Sequence, residues 1–344
     1  MGKKVLCAVS FLAWLLAIVG VRNLALGQEF YKDKTIRIIV GFAAGGGFDT
    51  YARIISRHMG KQIPGNPTII VENMGGAGSL LAANHLSRAK PDGLTVGNFI
   101  GTLVLQQIYG TKGVEFDARK FEWLGVPVQD STACALTSAS GITSLEKWFA
   151  AKEPVKLGGE GPGANDSDGP RILKVALGLP IQLIEGYKGT SQIRLAAEAG
   201  EIAGGCWTWE SIKVTWRKGL ESGNVNVVIQ TNAQRHPDLP NVPNAIEYAK
   251  TDDGRMLLEA AVHNPGAILR VYASPPGTPK DRLELLRKGF MATMKDPGFL
   301  AETNKAGLSV NPLPGPEVEK IVASFFKLQP AQIARLKEVL QPAR

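Results

Sequence analysis

Short apolar runs alternate with amphipathic stretches along the first hundred residues. Thr35–Val40 is almost entirely apolar and rich in β-branched residues, which is typical of a strand buried on both faces. Residues 51–59 then place tyrosine, isoleucine and methionine on one helical face. Further strands are predicted at 68–71 and 94–100, with a helix at 80–89 between them. This β-α-β-α-β order predicts a parallel sheet with helices on its faces.

The same alternation begins again near residue 143, where Thr-Ser-Leu-Glu has the spacing of a capping box. The pattern predicts short strands at 155–157, 181–184, 202–203 and 226–229, and helices at 168–177 and 192–199. The tail is predicted to be mostly helical, over 280–295, 297–305, 316–326 and 331–340. An α/β fold of two units with a helical tail follows, and more than 300 residues after residue 27 suit two domains.

Three consecutive glycines, Gly45 to Gly47, separate the first predicted strand from the first predicted helix. Glycine lets the backbone approach a ligand, and free N–H groups at a helix N-terminus attract anions. The phosphate-loop lysine is missing because Phe48 and Asp49 follow the last glycine. The dinucleotide pattern G-x-G-x-x-G is also absent. A tight turn without a ligand remains an alternative for this loop alone.

Two more glycine-rich stretches occupy the same strand-to-helix position. ENMGGAGS, residues 72–79, follows the second predicted strand, and GGEGPGANDSD, residues 158–168, lies in the second unit. In open parallel sheets such strand ends meet where ligands bind. Two loops from one unit and one from the other therefore predict an anion-binding cleft between two domains. Each exposed helix terminus contributes only about 0.3–1 kcal/mol, but several converging termini could hold a carboxylate.

An acid and two aromatic side chains near these loops allow more than one interpretation. Asp49 would repel an anion, so we expect it to cap its own helix and brace the loop. It could instead accept a hydrogen bond from a ligand hydroxyl or ammonium group. The stretch GGCWTWES, residues 204–211, follows a predicted strand and places Cys206 and Trp207 on a cleft wall or, alternatively, in the core.

The sequence contains no residue pattern that is typical of a catalytic site. The four histidines, at 58, 85, 236 and 263, show no metal-ligand spacing, and neither G-x-S-x-G nor H-E-x-x-H occurs. We therefore assign no catalytic residue, no metal and no cofactor. A triad assembled only in space stays open.

The N-terminus has the pattern of a secretory signal peptide. Lys3 and Lys4 precede an apolar run from Val5 to Val21, and Ala25-x-Gly27 fits a cleavage site, so the signal peptide is predicted over 1–27. An uncleaved anchor is the alternative, although 17 apolar residues are short for a membrane span. Nucleotides are scarce outside the cytoplasm, and a disulfide between Cys134 and Cys206 is allowed there, as are two free thiols.

Charge adds little to this picture. The predicted signal segment carries three of the 39 basic residues and no acid, so 36 basic side chains face 31 acidic ones and the net charge falls from +8 to +5. The charges are scattered without runs of like sign. They favour anionic ligands weakly and give no support for nucleic-acid binding.

The assembled segments resemble the substrate-binding proteins of tripartite tricarboxylate transporters, the Bug-type receptors of bacterial periplasm. The resemblance rests on YKDKTIRIIVGFAAGGGFDTYARIISRHM, IIVENMGGAGSLLAANHLSRAKPDGLTVG, IEGYKGTSQIRLAAEAGEIAGG, RHPDLPNVPNAIEYA and YASPPGTPKDRLELLRKGFMATMKDPGFL, which span most of the chain in order. It implies a type II, Venus-flytrap fold of two lobes with a parallel-type sheet in each, over residues 28–127 plus 233–344 and 128–232.

The resemblance also implies a site and its partners. Main-chain groups of the first two glycine-rich loops would bind a ligand carboxylate, partly through water, and the second lobe would complete the cleft. The expected ligand-binding residues are Phe42, Ala44, Gly45, Gly46, Asp49, Gly75, Ala77, Gly78, Ser79, Gly163, Ala164, Asn165, Ser167, Asp168, Cys206 and Trp207. The implied protein is a monomeric periplasmic receptor that passes a small carboxylate to membrane permease subunits.

One departure from the family pattern leaves the ligand open. Many relatives carry a serine and a histidine in the middle-domain loop, where this chain has GPGANDSD. Dicarboxylates, aromatic acids, amino acids and other small anions therefore all remain candidates. Two other function classes also remain: a partner of a membrane sensor protein, and a secreted enzyme on a similar two-lobed scaffold.

Overall fold

The computed structural model describes residues 30–341 of the chain. The predicted signal peptide over 1–27 lies outside the described residues. Within them, no helix is long and apolar enough to cross a membrane.

Eleven strands within the described residues form two separate sheets. The first sheet has the order β2-β1-β3-β10-β4-β11 and contains β1 (Thr35–Val40), β2 (Thr68–Asn73), β3 (Thr95–Ile100), β4 (Glu122–Val126), β10 (Arg270–Ser274) and β11 (Leu313–Pro314). The second has the order β7-β6-β8-β5-β9 and contains β5 (Thr132–Thr137), β6 (Val155–Gly159), β7 (Ile181–Glu185), β8 (Gly204–Thr208) and β9 (Val225–Gln230). We call the regions around these sheets lobe 1 and lobe 2.

Helices cover the sheets. Those of the first half are α1 (Gly47–Met59), α2 (Leu80–Arg88), α3 (Leu103–Ile108), α4 (Leu145–Phe149), α5 (Asn165–Leu177), α6 (Thr190–Glu198), α7 (Trp209–Thr215) and α8 (Arg217–Glu221). Those that follow are α9 (Asp252–Leu258), a π-helical turn (Glu259–His263), α10 (Asn264–Gly266), α11 (Lys280–Thr293), α12 (Pro297–Ala306), α13 (Gly315–Phe325) and α14 (Pro330–Leu340). The predicted α/β fold and helical tail are confirmed, and the tail helices begin and end within two residues of their predicted bounds.

Both sheets are mixed rather than purely parallel. In lobe 1, β1, β2 and β3 are parallel as predicted, but β10 enters antiparallel between β3 and β4. In lobe 2, β5 runs antiparallel to β8 and β9. The strands β5 and β10 each follow a passage of the chain from the other lobe. They therefore run in the direction opposite to strands joined by a βαβ crossover, which are parallel.

The chain passes between the lobes after β4 and again between β9 and β10. Near the first passage Asp130 is buried, and it accepts a hydrogen bond from the buried guanidinium of Arg270 at 2.8 Å. Arg270 also donates to Thr208 and Ser211 of lobe 2. The domain boundaries proposed above, at 127/128 and 232/233, stay a prediction.

Candidate functional site

The sheet-to-helix loops of the two lobes enclose a small cavity of about 20 Å³. Its lining comes from both lobes: Phe42, Ala43, Gly46, Gly47 and Phe48 of lobe 1, and Glu160, Asn165, Gly189, Thr190 and Ser211 of lobe 2. A cavity lined by both lobes lies where the sequence predicted an anion-binding cleft, and the binding itself stays a prediction. It can admit a ligand only when the lobes separate.

Three helices begin at this cavity. Helix α1 starts at Gly47, α5 at Asn165 and α6 at Thr190, and each first residue lines the cavity. None of the three has a hydrogen bond from a capping side chain. The first N–H groups of a helix have no partner inside it, so a ligand with acceptor atoms can satisfy them.

The loop before α1 is braced by Asp49. Its carboxylate is buried and accepts hydrogen bonds from Gly45 N at 2.9 Å, Arg53 Nε at 2.9 Å and Asn73 Nδ2 at 2.9 Å. Burial would raise the pKa of Asp49, but these hydrogen bonds together hold it below its ordinary value. The brace predicted for Asp49 is therefore present. The predicted capping role is wrong, because helix α1 begins at Gly47 and its N-cap is Gly46.

A carboxylate braces the corresponding loop of lobe 2 in the same way. Both carboxylate oxygens of Asp168 accept a hydrogen bond from Gly163 N at 3.1 Å. Burial raises the pKa of Asp168 to about 7, against the opposing effects of Gly163 N–H and the Arg171 guanidinium. Ser167 Oγ accepts from Gly161 N at 2.8 Å, so its hydroxyl is engaged inside the loop.

The second glycine-rich loop contacts lobe 2 beside the cavity rather than lining it. A Cβ atom built on Gly78 would lie 2.8 Å from Ala164 N, so the two backbones touch at this point. Ser79 is fully buried, and its Oγ accepts a hydrogen bond from Ile100 N at 3.0 Å. Gly75 lies against Ala43. This loop shapes the closed contact between the lobes.

Cys206 and Trp207 are not part of the cavity wall, which corrects the expectation for them. Both lie within β8 rather than after it, because that strand begins two residues later than predicted. Cys206 forms a disulfide with Cys134 of β5, and Trp207 is buried with its ring stacked on Trp216 at 5.2 Å between centroids. Their side chains belong to the interior of lobe 2.

Of the sixteen expected residues, the structure places Phe42, Gly46 and Asn165 on the cavity wall. Ala44, Gly45, Asp49, Gly75, Ala77, Gly78, Ser79, Gly163, Ala164, Ser167 and Asp168 lie in the loops that surround the wall or meet across the cleft. Prediction had missed Ala43, Gly47, Phe48, Glu160, Gly189, Thr190 and Ser211 as individual contacts. The Tyr187-Lys188-Gly189 turn could have indicated Gly189 and Thr190. The glutamate inside GGEGPG could have indicated Glu160.

Direct contacts join the lobes on the sides of the cavity. Ala43 N donates to Lys188 O at 3.3 Å, and Thr102 Oγ1 donates to Gly163 O at 3.0 Å. At a third point, Glu210 of α7 accepts hydrogen bonds from Tyr51 Oη at 3.0 Å and from Ser309 N at 2.8 Å. The arrangement is the closed one, since backbone and side-chain groups of both lobes pair directly.

One cluster of two acidic side chains and a histidine outside the cavity has the spacing of a cation site. Glu210, His236 and Asp238 place one ligand atom each within 4.8 Å of one another. Lys213 Nζ already lies 2.8 Å from Glu210 Oε1 and 3.1 Å from Asp238 Oδ2. Because the lysine ammonium supplies the positive charge, we do not propose a metal ion for this trio.

Known proteins match this chain over most of its length. A UPF0065 protein in the TAR-I ttuE-ttuC' intergenic region of Agrobacterium vitis is 26% identical, over 97% of this chain and 91% of its own length. Among solved structures, the periplasmic binding protein BugD has a TM-score of 0.73 at 22% identity, with 90% of this chain and 98% of BugD covered. MatC from Rhodopseudomonas palustris with bound malate has a TM-score of 0.68 at 21% identity, covering 90% and 99%.

These structural likenesses confirm the predicted fold, that of a two-lobed periplasmic binding protein. Residues 51–329 match a family described as the tripartite tricarboxylate transporter family receptor. Since this match covers most of the sequence, the chain belongs to that receptor family.

Proposed function

We propose that this protein captures a small carboxylate between its lobes and delivers it to the membrane subunits of a tripartite transporter. The observation that carries the proposal is the convergence of α1, α5 and α6 on one cavity, each with an uncapped first turn. Their N–H groups and dipoles favour a negative charge. MatC, a protein of the same fold, holds bound malate, which supports a small carboxylate as the ligand.

Location outside the cytoplasm follows from the family, whose receptors are periplasmic. The Cys134–Cys206 disulfide fits an oxidising compartment. We propose that the segment 1–27 directs export and is removed, and that the receptor acts as a monomer. Capture is coupled to closure, because groups of both lobes meet around the ligand only in the closed arrangement.

A thermal-shift screen of residues 28–344 against mono-, di- and tricarboxylates, aromatic acids and amino acids tests the proposal. At a ligand concentration about 100-fold above Kd, binding stabilises the folded protein by about 2.7 kcal/mol, which gives a clear rise in Tm. The ligand should be recovered with unchanged mass after incubation. Absence of any stabilising carboxylate would refute the receptor role, and consumption of the ligand would indicate an enzyme.

A further inference from the structure

The chain returns from lobe 2 to lobe 1 through the π-helical turn Glu259–His263. On the side of lobe 2, a Cβ atom built on Gly254 of α9 would lie 2.9 Å from Ala176 O of α5, so α9 packs closely on that lobe. On the side of lobe 1, Gly101 N donates a hydrogen bond to Leu269 O at 3.3 Å. π-helical turns are rare and frequently occur at functional sites. This one joins two segments that move relative to each other when the lobes separate.

A second cavity, of about 390 Å³, lies beside this turn. Its wall comes from both passages of the chain between the lobes: residues 129–132 after β4, residues 231–237 after β9, and residues 262–269 of the turn and its continuation. It shares no lining residue with the cavity between the glycine-rich loops. Its volume lies within the range of small-molecule sites, roughly 300–1,000 Å³. We call it the hinge cavity.

Hydrogen bonds connect the walls of the two cavities. Asp130 of the hinge cavity pairs with Arg270 at 2.8 Å, and Arg270 donates to Ser211 of the other cavity at 3.2 Å. Thr132 of the hinge cavity accepts a hydrogen bond from Asn165 of the other cavity at 3.4 Å. Because these contacts belong to the closed arrangement, a compound that fits the hinge cavity in this shape favours closure.

The charged groups of the hinge cavity wall already have partners. Asp130 is paired with Arg270, and Arg235 lies 2.7 Å from Glu247 Oε2. Burial lowers the pKa of His263 below its ordinary value, so its imidazole is neutral at pH 7. An ionic compound would therefore find no unpaired opposite charge among these groups, which favours an uncharged one.

Two polar groups of the wall lack a hydrogen-bond partner. Ser131 is 8% exposed and His263 is half-buried, and neither Ser131 Oγ nor His263 Nε2 has a partner among residues 30–341. A hydroxyl group can both donate and accept, so hydroxyl groups on a bound compound can complement the serine and either tautomer of the imidazole. Val262, Ala267 and Leu269 add apolar surface suited to C–H groups.

We propose that the hinge cavity is a second ligand site, which takes a small uncharged polyhydroxy compound, a polyol or monosaccharide, and favours the closed arrangement. The site goes beyond the proposed receptor function and does not depend on it. Only its effect on carboxylate capture rests on that function. By linkage, the polyhydroxy compound and the carboxylate raise each other's affinity by the same factor.

Calorimetry of residues 28–344 with meso-erythritol, myo-inositol, D-ribose and D-glucose tests the site without any carboxylate. We expect at least one of the four to bind at one site per chain with a Kd below about 1 mM. Cationic D-glucosamine should bind more weakly than the best of them. Tighter binding of D-glucosamine than of all four would overturn the assigned class of compound.

Ser131→Ala should weaken binding of the best compound about fivefold, because one hydrogen bond is lost. Ser274→Ala is the matched control and should keep the affinity. Ser274 is also buried, and its Oγ likewise has no partner within the described residues, but it lies on β10 outside the lining of the hinge cavity. Equal losses in the two variants would contradict a contact with Ser131.

Gly266→Leu should block the hinge cavity. A Cβ atom built on Gly266 would lie 3.8 Å from Asp130 O, an ordinary contact, so a larger side chain can extend into the cavity without moving the backbone. We expect affinity for the polyhydroxy compound to fall at least tenfold while the unfolding temperature changes little. Ala301→Leu, at an exposed position of α12, is the control and should bind normally.

The coupling is measured with the carboxylate that stabilises most in the thermal-shift screen, titrated with and without the saturating polyhydroxy compound. We expect about fivefold tighter carboxylate binding in its presence. Failure of all four compounds to bind, or binding that Gly266→Leu leaves intact, would overturn the site. Unchanged carboxylate affinity would overturn its effect on closure. If no carboxylate binds, the receptor function fails, and the titrations without carboxylate still decide the hinge site.

Discussion

At the scale of single residues, glycine decides how closely the lobes can approach. Gly47 begins α1 in lobe 1 and faces Ser211 on α7 of lobe 2. A Cβ atom built on Gly47 would lie 2.8 Å from Ser211 Cα, well inside van der Waals contact, so a backbone would have to move. Glycine is needed at position 47 because Ser211 of the other lobe is so close, and not because the backbone angle there is unusual.

Gly47→Ala should therefore keep the lobes from closing fully. We expect ligand affinity to fall by about tenfold or more, while the unfolding temperature of the free protein changes little, because an open arrangement relieves the contact. Calorimetry and thermal unfolding measure the two quantities. Gly169→Ala is the control, since the nearest atom to its added Cβ is 3.9 Å away in the same lobe; full closure and normal affinity in Gly47→Ala would contradict the assignment.

Asp49 gives a pH-dependent contribution to stability. Its pKa in the folded state lies below the ordinary 3.8 because donors from Arg53, Gly45 and Asn73 overcome the effect of burial. A lowered pKa means that the stabilisation is fully present above about pH 4 and is lost as the pH falls through the folded-state value. Asp49→Asn should be less stable than wild type at pH 7, and the difference should shrink in acid.

Denaturant unfolding of wild type and Asp49→Asn at several pH values between 2.5 and 7, chosen by the ordinary carboxyl pKa range, measures this convergence. Ligand affinity at pH 7 should drop less than about tenfold, because the carboxylate braces the loop and does not line the cavity. A constant stability difference across this range would show that the ionised form is not preferentially stabilised.

At the scale of secondary-structure elements, a disulfide joins two neighbouring strands near the centre of the lobe 2 sheet. Cys134 of β5 and Cys206 of β8 stand opposite each other in the antiparallel ladder and are completely buried. The disulfide closes a loop with a sequence separation of 72 residues. In the chain-entropy description, a loop of this length stabilises the folded protein by about 4 kcal/mol.

The double variant Cys134→Ala/Cys206→Ala should lose about 2–4 kcal/mol of unfolding free energy. Its ligand affinity should stay within about twofold, because neither sulfur contributes to the cavity lining. Denaturant titration and calorimetry of the refolded variant measure these values. Loss of binding in a variant that remains folded would restore the cleft-wall role originally expected for Cys206.

At the scale of the whole molecule, the closed arrangement is held by polar contacts between lobes. Tyr51 on α1 is fully buried, and its hydroxyl lies 3.0 Å from Glu210 Oε2 and 2.8 Å from Ser309 O. Arg270 lies over the rings of Phe48 and Tyr51 at 4.1 and 4.7 Å. The Ser309 contact and the stacking of Arg270 on the two rings lie within lobe 1. The Tyr51 hydroxyl reaches lobe 2 at Glu210, and the Arg270 guanidinium reaches it at Thr208 and Ser211.

Tyr51→Phe should shift the equilibrium towards the open arrangement. Losing one such hydrogen bond costs about 1 kcal/mol, so we expect roughly fivefold weaker binding and a larger radius of gyration in solution scattering at low ligand. Tyr31→Phe is the matched control, because Tyr31 is equally buried but donates to Gly93 within lobe 1 at 3.2 Å. Equal effects of the two variants on affinity would rule out a closure-specific role for Tyr51.

Much of the architecture could be predicted from local pattern. Apolar runs located β1 and β2, helical spacing located α1 and the tail helices, and glycine-rich turns marked the strand ends that face the cleft. These features depend on side-chain period and turn chemistry, which are encoded within a few residues of each position. The same loops, with the resemblance they carry, identified the receptor family.

The tertiary structure alone decided which atoms face the cavity. Trp207 and Cys206 lie on β8 and point into lobe 2, because a two-residue shift in where a strand begins changes which side chains remain available at its end. Strands β5 and β10 joined their sheets antiparallel through contacts between distant segments that no local pattern contains. Glu160 became part of the cavity wall only when the two lobes met around it, since burial is a property of the assembled fold.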